Sequence, residues 1–101
     1  MAITGFTGIR VGTLQTISTT STAQTITPPD GCDFILLCAK QHDLHLTFDG
    51  TTPTSTLGFH LNKDTTYRID IGIDTIIKII AQSDNPTVYW QAFRVKRDDN
   101  A

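Results

Sequence analysis

The chain has 101 residues, 39% of them hydrophobic and only 18% charged, with a formal net charge of −2 and a pI near 5.8. That length supports one domain with a single modest core. The acidic balance excludes nucleic acid as the main partner, because Lys96 and Arg97 are diluted by Asp98 and Asp99 and no basic stripe exists to neutralise phosphates. With no apolar span near 18 residues and no signal-peptide pattern, the sequence reads as a soluble protein with no membrane partner and no classical secretion signal.

Residues 1–12 carry Gly5, Gly8 and Gly12 among scattered apolar groups. They read as an extended N-terminal arm that becomes ordered by docking. Its candidate contact residues are Ile3, Phe6, Ile9 and Arg10. Beyond it, residues 13–96 are expected to form the domain and residues 97–101 a polar tail. Threonine, at 18 of 101 positions, is β-branched and hydroxylated, which suits strand faces that meet water or another polar surface. The first strand candidates, 13–18 and 23–27, are rich in it and turn Ile17 and Ile26 inward. Pro28-Pro29-Asp30-Gly31 then stops the chain, since each proline lacks an N–H and Asp-Gly favours a reversal.

The solid apolar run 34–39 predicts a central strand buried on both faces. After it, Leu44, Leu46 and Phe48 alternate inward against outward His45 and Thr47, and Asp49-Gly50 turns the chain. Strands are further expected at 58–61, 67–71 and 75–81, the last two with Ile69, Ile77 and Ile79 inside. The last, 87–95, sets Val88, Trp90 and Ala92 against Tyr89, Gln91 and Phe93. About eight short strands at this spacing predict an all-β fold, a single β-sandwich of jelly-roll or immunoglobulin-like order.

Cys32 and Cys38 lie six residues apart, roughly 20 Å if one strand runs through both, too far for a disulfide. Free thiols are expected, with Cys38 as a small core hydrophobe in a reducing compartment.

Five stretches carry a resemblance. Thr22-Ala23-Gln24, Thr27-Pro28-Pro29-Asp30-Gly31, Asp49-Gly50-Thr51-Thr52-Pro53-Thr54 and Gly58-Phe59-His60-Leu61, with the closing strand 87–94, resemble a group of small β-sandwich proteins of tailed-phage virions. The resemblance covers residues 20–95 and implies a capsid decoration protein or a head or tail accessory subunit. It further implies a virion protein made in the host cytoplasm, whose partners are its own copies, as a homotrimer, and the major capsid or another virion protein. A shorter likeness, around Asp49 to Thr54, is to fibronectin-like and immunoglobulin-like modules of carbohydrate-active proteins.

The residues themselves offer little chemistry. His42 and His45, three apart on a strand, point to opposite faces and cannot share one ion, although His60 could join one of them. Asp49 alone supplies too few oxygens for calcium. A buried Cys38 cannot serve as a nucleophile without a histidine in reach. No metal site, cofactor or enzymatic activity is expected. Of the adjacent rings, Tyr89 and Trp90, one is core and the other sits at a contact or stacks on a sugar. The expected function is a non-enzymatic structural subunit that stabilises a shell through strand-face and arm contacts, Tyr89 among them. The alternative is a small glycan- or host-surface-binding module.

Overall fold

A computed structural model describes residues 8–95, and every structural statement below concerns those residues. They form eight strands and no helix: β1 Gly8–Ser18, β2 Gln24–Ile26, β3 Phe34–Lys40, β4 Leu44–Thr47, β5 Phe59–Leu61, β6 Thr66–Asp70, β7 Ile77–Ala81 and β8 Thr87–Val95. Two antiparallel four-stranded sheets result, ordered β1-β8-β3-β6 and β2-β7-β4-β5. Every connection crosses between the sheets except the β4–β5 hairpin.

The inward residues of both sheets close one core. Ile35, Leu37, Ala39, Ile69, Val88, Trp90 and Ala92 come from the first sheet; Ile26, Leu44, Leu46, Leu61, Ile77 and Ile79 come from the second. The period of two in β8 and β3 dictates this, since each alternate side chain faces the opposite sheet. The molecule is an all-β sandwich.

Antiparallel pairing sorts the connections by end. The β2–β3, β4–β5 and β6–β7 connections leave from the end where Gly8 pairs with Val95 and Ile26 with Ile77. The β1–β2, β3–β4, β5–β6 and β7–β8 connections share the other end. There Gln41 and Asp64, both at positive φ, hold the turns together: Gln41 N–H donates to Asp64 Oδ1 at 3.1 Å, and Asp64 N–H donates to the Ala39 carbonyl at 2.7 Å.

Several expectations are corrected. The first strand starts at Gly8, so residues 8–12, expected within the arm, pair with β8 from Gly8–Val95 to Val11–Ala92. Ile3 and Phe6, and the tail 97–101, lie outside the described residues. Phe48 is not core; it lies beyond β4, is 38% exposed, and meets Phe59 at 5.4 Å between ring centroids. His45 and Thr47 face outward as the alternation requires, yet both are buried. Their cover is the β4–β5 connection, which folds back over the second sheet. His45 Nδ1–H donates to the Thr54 carbonyl at 2.9 Å, the Thr47 hydroxyl donates to the Thr51 carbonyl, and Pro53 is fully buried. Strand alternation alone cannot report a loop that supplies a third layer.

Gly58 makes that return path possible. Its φ is +134°, and an added Cβ would lie 3.2 Å from the Leu46 carbonyl oxygen and 3.3 Å from His45 Cβ. Gly58→Ala is expected to cost about 1–3 kcal/mol, the range for backbone forced into a sparsely populated region. Urea unfolding midpoints check it; an unchanged midpoint would show that the loop shifts freely.

Candidate interaction surface

The two sheets differ on their outer sides. The second is covered by the chain's own loop, with Ile80 and His45 buried beneath it. No described segment covers the first. Register lays out its outer face row by row. Arg10, Phe93, Phe34 and Asp70 stand across β1, β8, β3 and β6; then come Gln91, Leu36 and Arg68; then Thr16, Tyr89, Cys38 and Thr66; then Ser18, Thr87 and Lys40.

The middle of this face is apolar. A groove of about 190 Å³ runs among Leu14, Leu36, Cys38, Tyr89 and Phe93, with Leu14 58% and Tyr89 37% exposed. Leu14 reaches it because the β1–β8 register slips between Val11 and Gln15, and the Gln91 amide donates to the Gly12 carbonyl at 3.3 Å inside that irregularity. A bulge of this kind re-aims a side chain that regular alternation would place elsewhere.

Towards the end where β1 starts, the face is built more firmly. Phe34 and Phe93 stack with centroids 5.4 Å apart, and the Arg68 guanidinium lies 4.0 Å over the Phe34 ring while its Nε donates to Asp70 Oδ1 at 3.1 Å. Arg68 and Phe93 both help to cover Phe34, which is fully buried although it points away from the core.

Of the sequence-expected contact residues, Arg10 and Tyr89 fall on this one face. Ile9, opposite Arg94, alternates to the other side of β1 at the sheet edge and is 38% exposed. Phe93 was expected on the same side of β8 as Tyr89, though not as a contact residue, and Leu14 and Leu36 were not expected there. Cys38 also corrects its expected core role, for it sits half-buried on the outer face opposite Tyr89. The run Phe34 to Ala39 is apolar on both sides because one side fills the core and the other forms this face, where Phe34 alone is fully buried and Leu36 and Cys38 are left partly open.

The titratable groups build structure elsewhere. His60 Nε2–H donates to Asp43 Oδ2 at 2.8 Å, and Lys63 N–H donates to Asp43 Oδ1 at 2.8 Å, so the Asp43 carboxyl titrates below its ordinary range, chiefly through the Lys63 bond. His60 and His45 face each other edge-on at 5.3 Å, while His42 lies 3.8 Å from Asp84. No three His, Cys, Asp or Glu side chains among the described residues are placed to hold a metal ion. Asp49 accepts from Thr51 N–H at 3.0 Å, and the Thr51 bonds lower its pKa, which accounts for it as a turn former. Cys32 and Cys38 are free thiols, and partial burial followed by the nearby Asp33 charge pushes the Cys32 thiol up.

No known protein family, curated protein or solved structure matches this chain.

Proposed function

We propose that the protein is a non-enzymatic structural subunit that attaches to copies of itself and to a larger particle through the outer face of the β1-β8-β3-β6 sheet. One observation carries this reading: among the described residues, one sheet is covered by the chain's own loop while the other presents a partly open apolar groove. An apolar groove rimmed by polar residues is what a protein contact needs, and exposed tyrosine with arginine nearby is the composition of contact hot spots.

The sheet order 1-8-3-6 over 2-7-4-5 supports the jelly-roll form of the sandwich rather than the immunoglobulin order, which would pair the first strand with the second. Viral shell domains and lectins both use jelly rolls, so the architecture alone does not choose between them. The tailed-phage resemblance favours the first: a capsid decoration subunit of the virion, associated as a homotrimer and bound to the major capsid or another virion protein. Such a subunit stabilises a shell by mass action, because it binds only the assembled state. The glycan alternative draws on the exposed Tyr89 ring, but the groove beside that ring is lined mainly by apolar and aromatic groups, Leu14, Leu36 and Phe93 among them, with Thr66 and Gln91 as its polar members, which favours a protein partner.

Residues 1–7 are proposed to add to attachment through Ile3 and Phe6. Deleting them is expected to leave every described strand intact and to weaken binding. Deleting 1–12 also removes the pairings from Gly8 to Val11 and should destabilise the domain itself. Electron microscopy of the assembly that carries the chain tests the reading. Sandwiches seated with the β1-β8-β3-β6 sheet against neighbours are expected; absence from any particle, or that sheet turned to solvent, would overturn it.

A further inference from the structure

The chain enters β1 and leaves β8 at one end of the sandwich, where Gly8 pairs with Val95. The same end carries a cleft of about 490 Å³ between the turn 27–32 and the connection 71–76. Ile26, Pro29, Ile71, Ile73 and Ile76 give it apolar walls, while threonine hydroxyls and Asp30 supply its polar members. Ile73 stands fully exposed and Ile76 is 48% exposed, so two large apolar side chains line an open cleft. Clustered exposure of that kind marks a contact rather than an ordinary surface.

Asp33 ties both walls of the cleft to the place where β1 starts. Its N–H donates to the Phe93 carbonyl at 2.7 Å, its Oδ2 accepts from Val95 N–H at 2.7 Å, and its carbonyl accepts from Ile71 N–H at 2.8 Å. Gly8 lies across β8 from β3, two strand spacings or roughly 10 Å from Asp33. Measured from Gly8, Phe6 reaches at most about 7 Å and Ile3 at most about 18 Å. With its ring Phe6 meets the near wall, and Ile3 crosses to the 71–76 side. The Tyr89 end of the groove on the sheet face is out of range. Tyr89 stands opposite Thr16, eight residues beyond Gly8 and thus about 26 Å along the strand.

We propose that residues 1–7 turn back into this cleft of their own chain and seat Ile3 and Phe6 against its isoleucines. The walls suit a peptide, whose side chains fill the apolar part while its backbone groups meet the hydroxyls. Residues 1–7 carry no charged side chain, whereas 96–101, which leaves from the same end, holds Lys96, Arg97, Asp98 and Asp99. Burying such charges without partners is costly, so the cleft selects the N-terminal segment. Tethering selects the same chain, because a short linker keeps its own segment at an effective concentration of millimolar order. The attachment proposed above for residues 1–7 then comes from a segment held in a fixed place, with Ile3 and Phe6 as its anchors. The seating itself needs no second subunit.

NMR of the whole chain tests it. Nuclear Overhauser contacts from the Phe6 ring and the Ile3 methyl groups to the Ile73 and Ile76 methyl groups are expected. Ile3→Asp with Phe6→Asp should remove them, while the core methyl groups of Leu46 and Val88 keep their shifts. Alkylation read by peptide mass mapping gives a second measure. Cys32, on the cleft wall, should react several-fold faster in that double variant than in the parent, with Cys38 on the outer sheet face unchanged. Equal Cys32 rates together with no contact from residues 1–7 to the cleft would overturn the proposal. Contacts from Lys96 or Arg97 in their place would overturn it in favour of the tail. Isotope-filtered contacts seen only between labelled and unlabelled chains would overturn the same-chain seating in favour of a neighbour's segment.

Discussion

Trp90→Ala is expected to destabilise the protein by about 3–5 kcal/mol, the usual cost of emptying a buried large aromatic site. Trp90 is 8% exposed on the inner side of β8, opposite Leu37 of β3 and Gln15 of β1, in the middle of the core. Domain stabilities run at roughly 5–15 kcal/mol, so the variant would be marginal. A second substitution separates volume from polarity. Trp90 Nε1 is buried and has no hydrogen-bond partner among the described residues. An unpaired buried donor costs about 1–3 kcal/mol. Trp90→Phe removes that donor while keeping an aromatic ring, and is expected to cost clearly less than Trp90→Ala. Urea midpoints for the two variants check this; equal losses would show that the indole N–H is satisfied in solution.

The second large effect concerns attachment rather than stability. Leu14→Glu and Tyr89→Glu each place a carboxylate in the open groove of the first sheet. Both positions are exposed in the isolated subunit, so unfolding midpoints should move by no more than about 0.5 kcal/mol, as for surface sites in general. In a contact the new charge would be desolvated without a partner, and truncating or burying against a hot spot costs about 2 kcal/mol or more. Self-association should weaken by at least about 30-fold. Sedimentation equilibrium of each variant measures it, and a parent-like association constant would show that the groove faces water in the assembly.

Much of the fold was legible because period-two alternation and turn chemistry speak plainly here. Val88, Trp90 and Ala92 face inward and Tyr89, Gln91 and Phe93 outward, as β8 reads; Pro28-Pro29 and Asp49-Gly50 end their strands where turn residues require. What was missed lies beyond the reach of alternation. His45 and Thr47 are outward yet buried, because residues 51–57 return over them through Gly58, and no local pattern announces that path. Phe48 continues the inward phase of Leu44 and Leu46, but the strand has already ended, and its ring meets Phe59 at the open end instead.

The face itself was half legible. Arg10 and Tyr89 were expected at contacts and lie on one sheet surface, but the same run that signalled a buried strand hid Leu36 and Cys38. A hydrophobic side chain reads alike whether its own chain or another subunit covers it, and only three-dimensional placement tells the two apart. Leu14 needed the slip in register between Val11 and Gln15, which no residue pattern specifies beyond Gly12 at φ +93°.

The central proposal, that the outer face of the β1-β8-β3-β6 sheet binds other copies, is tested most directly by the mass of the purified protein in solution. Light scattering across the micromolar range is predicted to give three times the 11.1 kDa chain mass, falling towards one chain for Tyr89→Glu. A dimer would contradict the trimer alone, whereas a parent protein that stays at 11.1 kDa up to tens of micromolar would contradict self-association through this face.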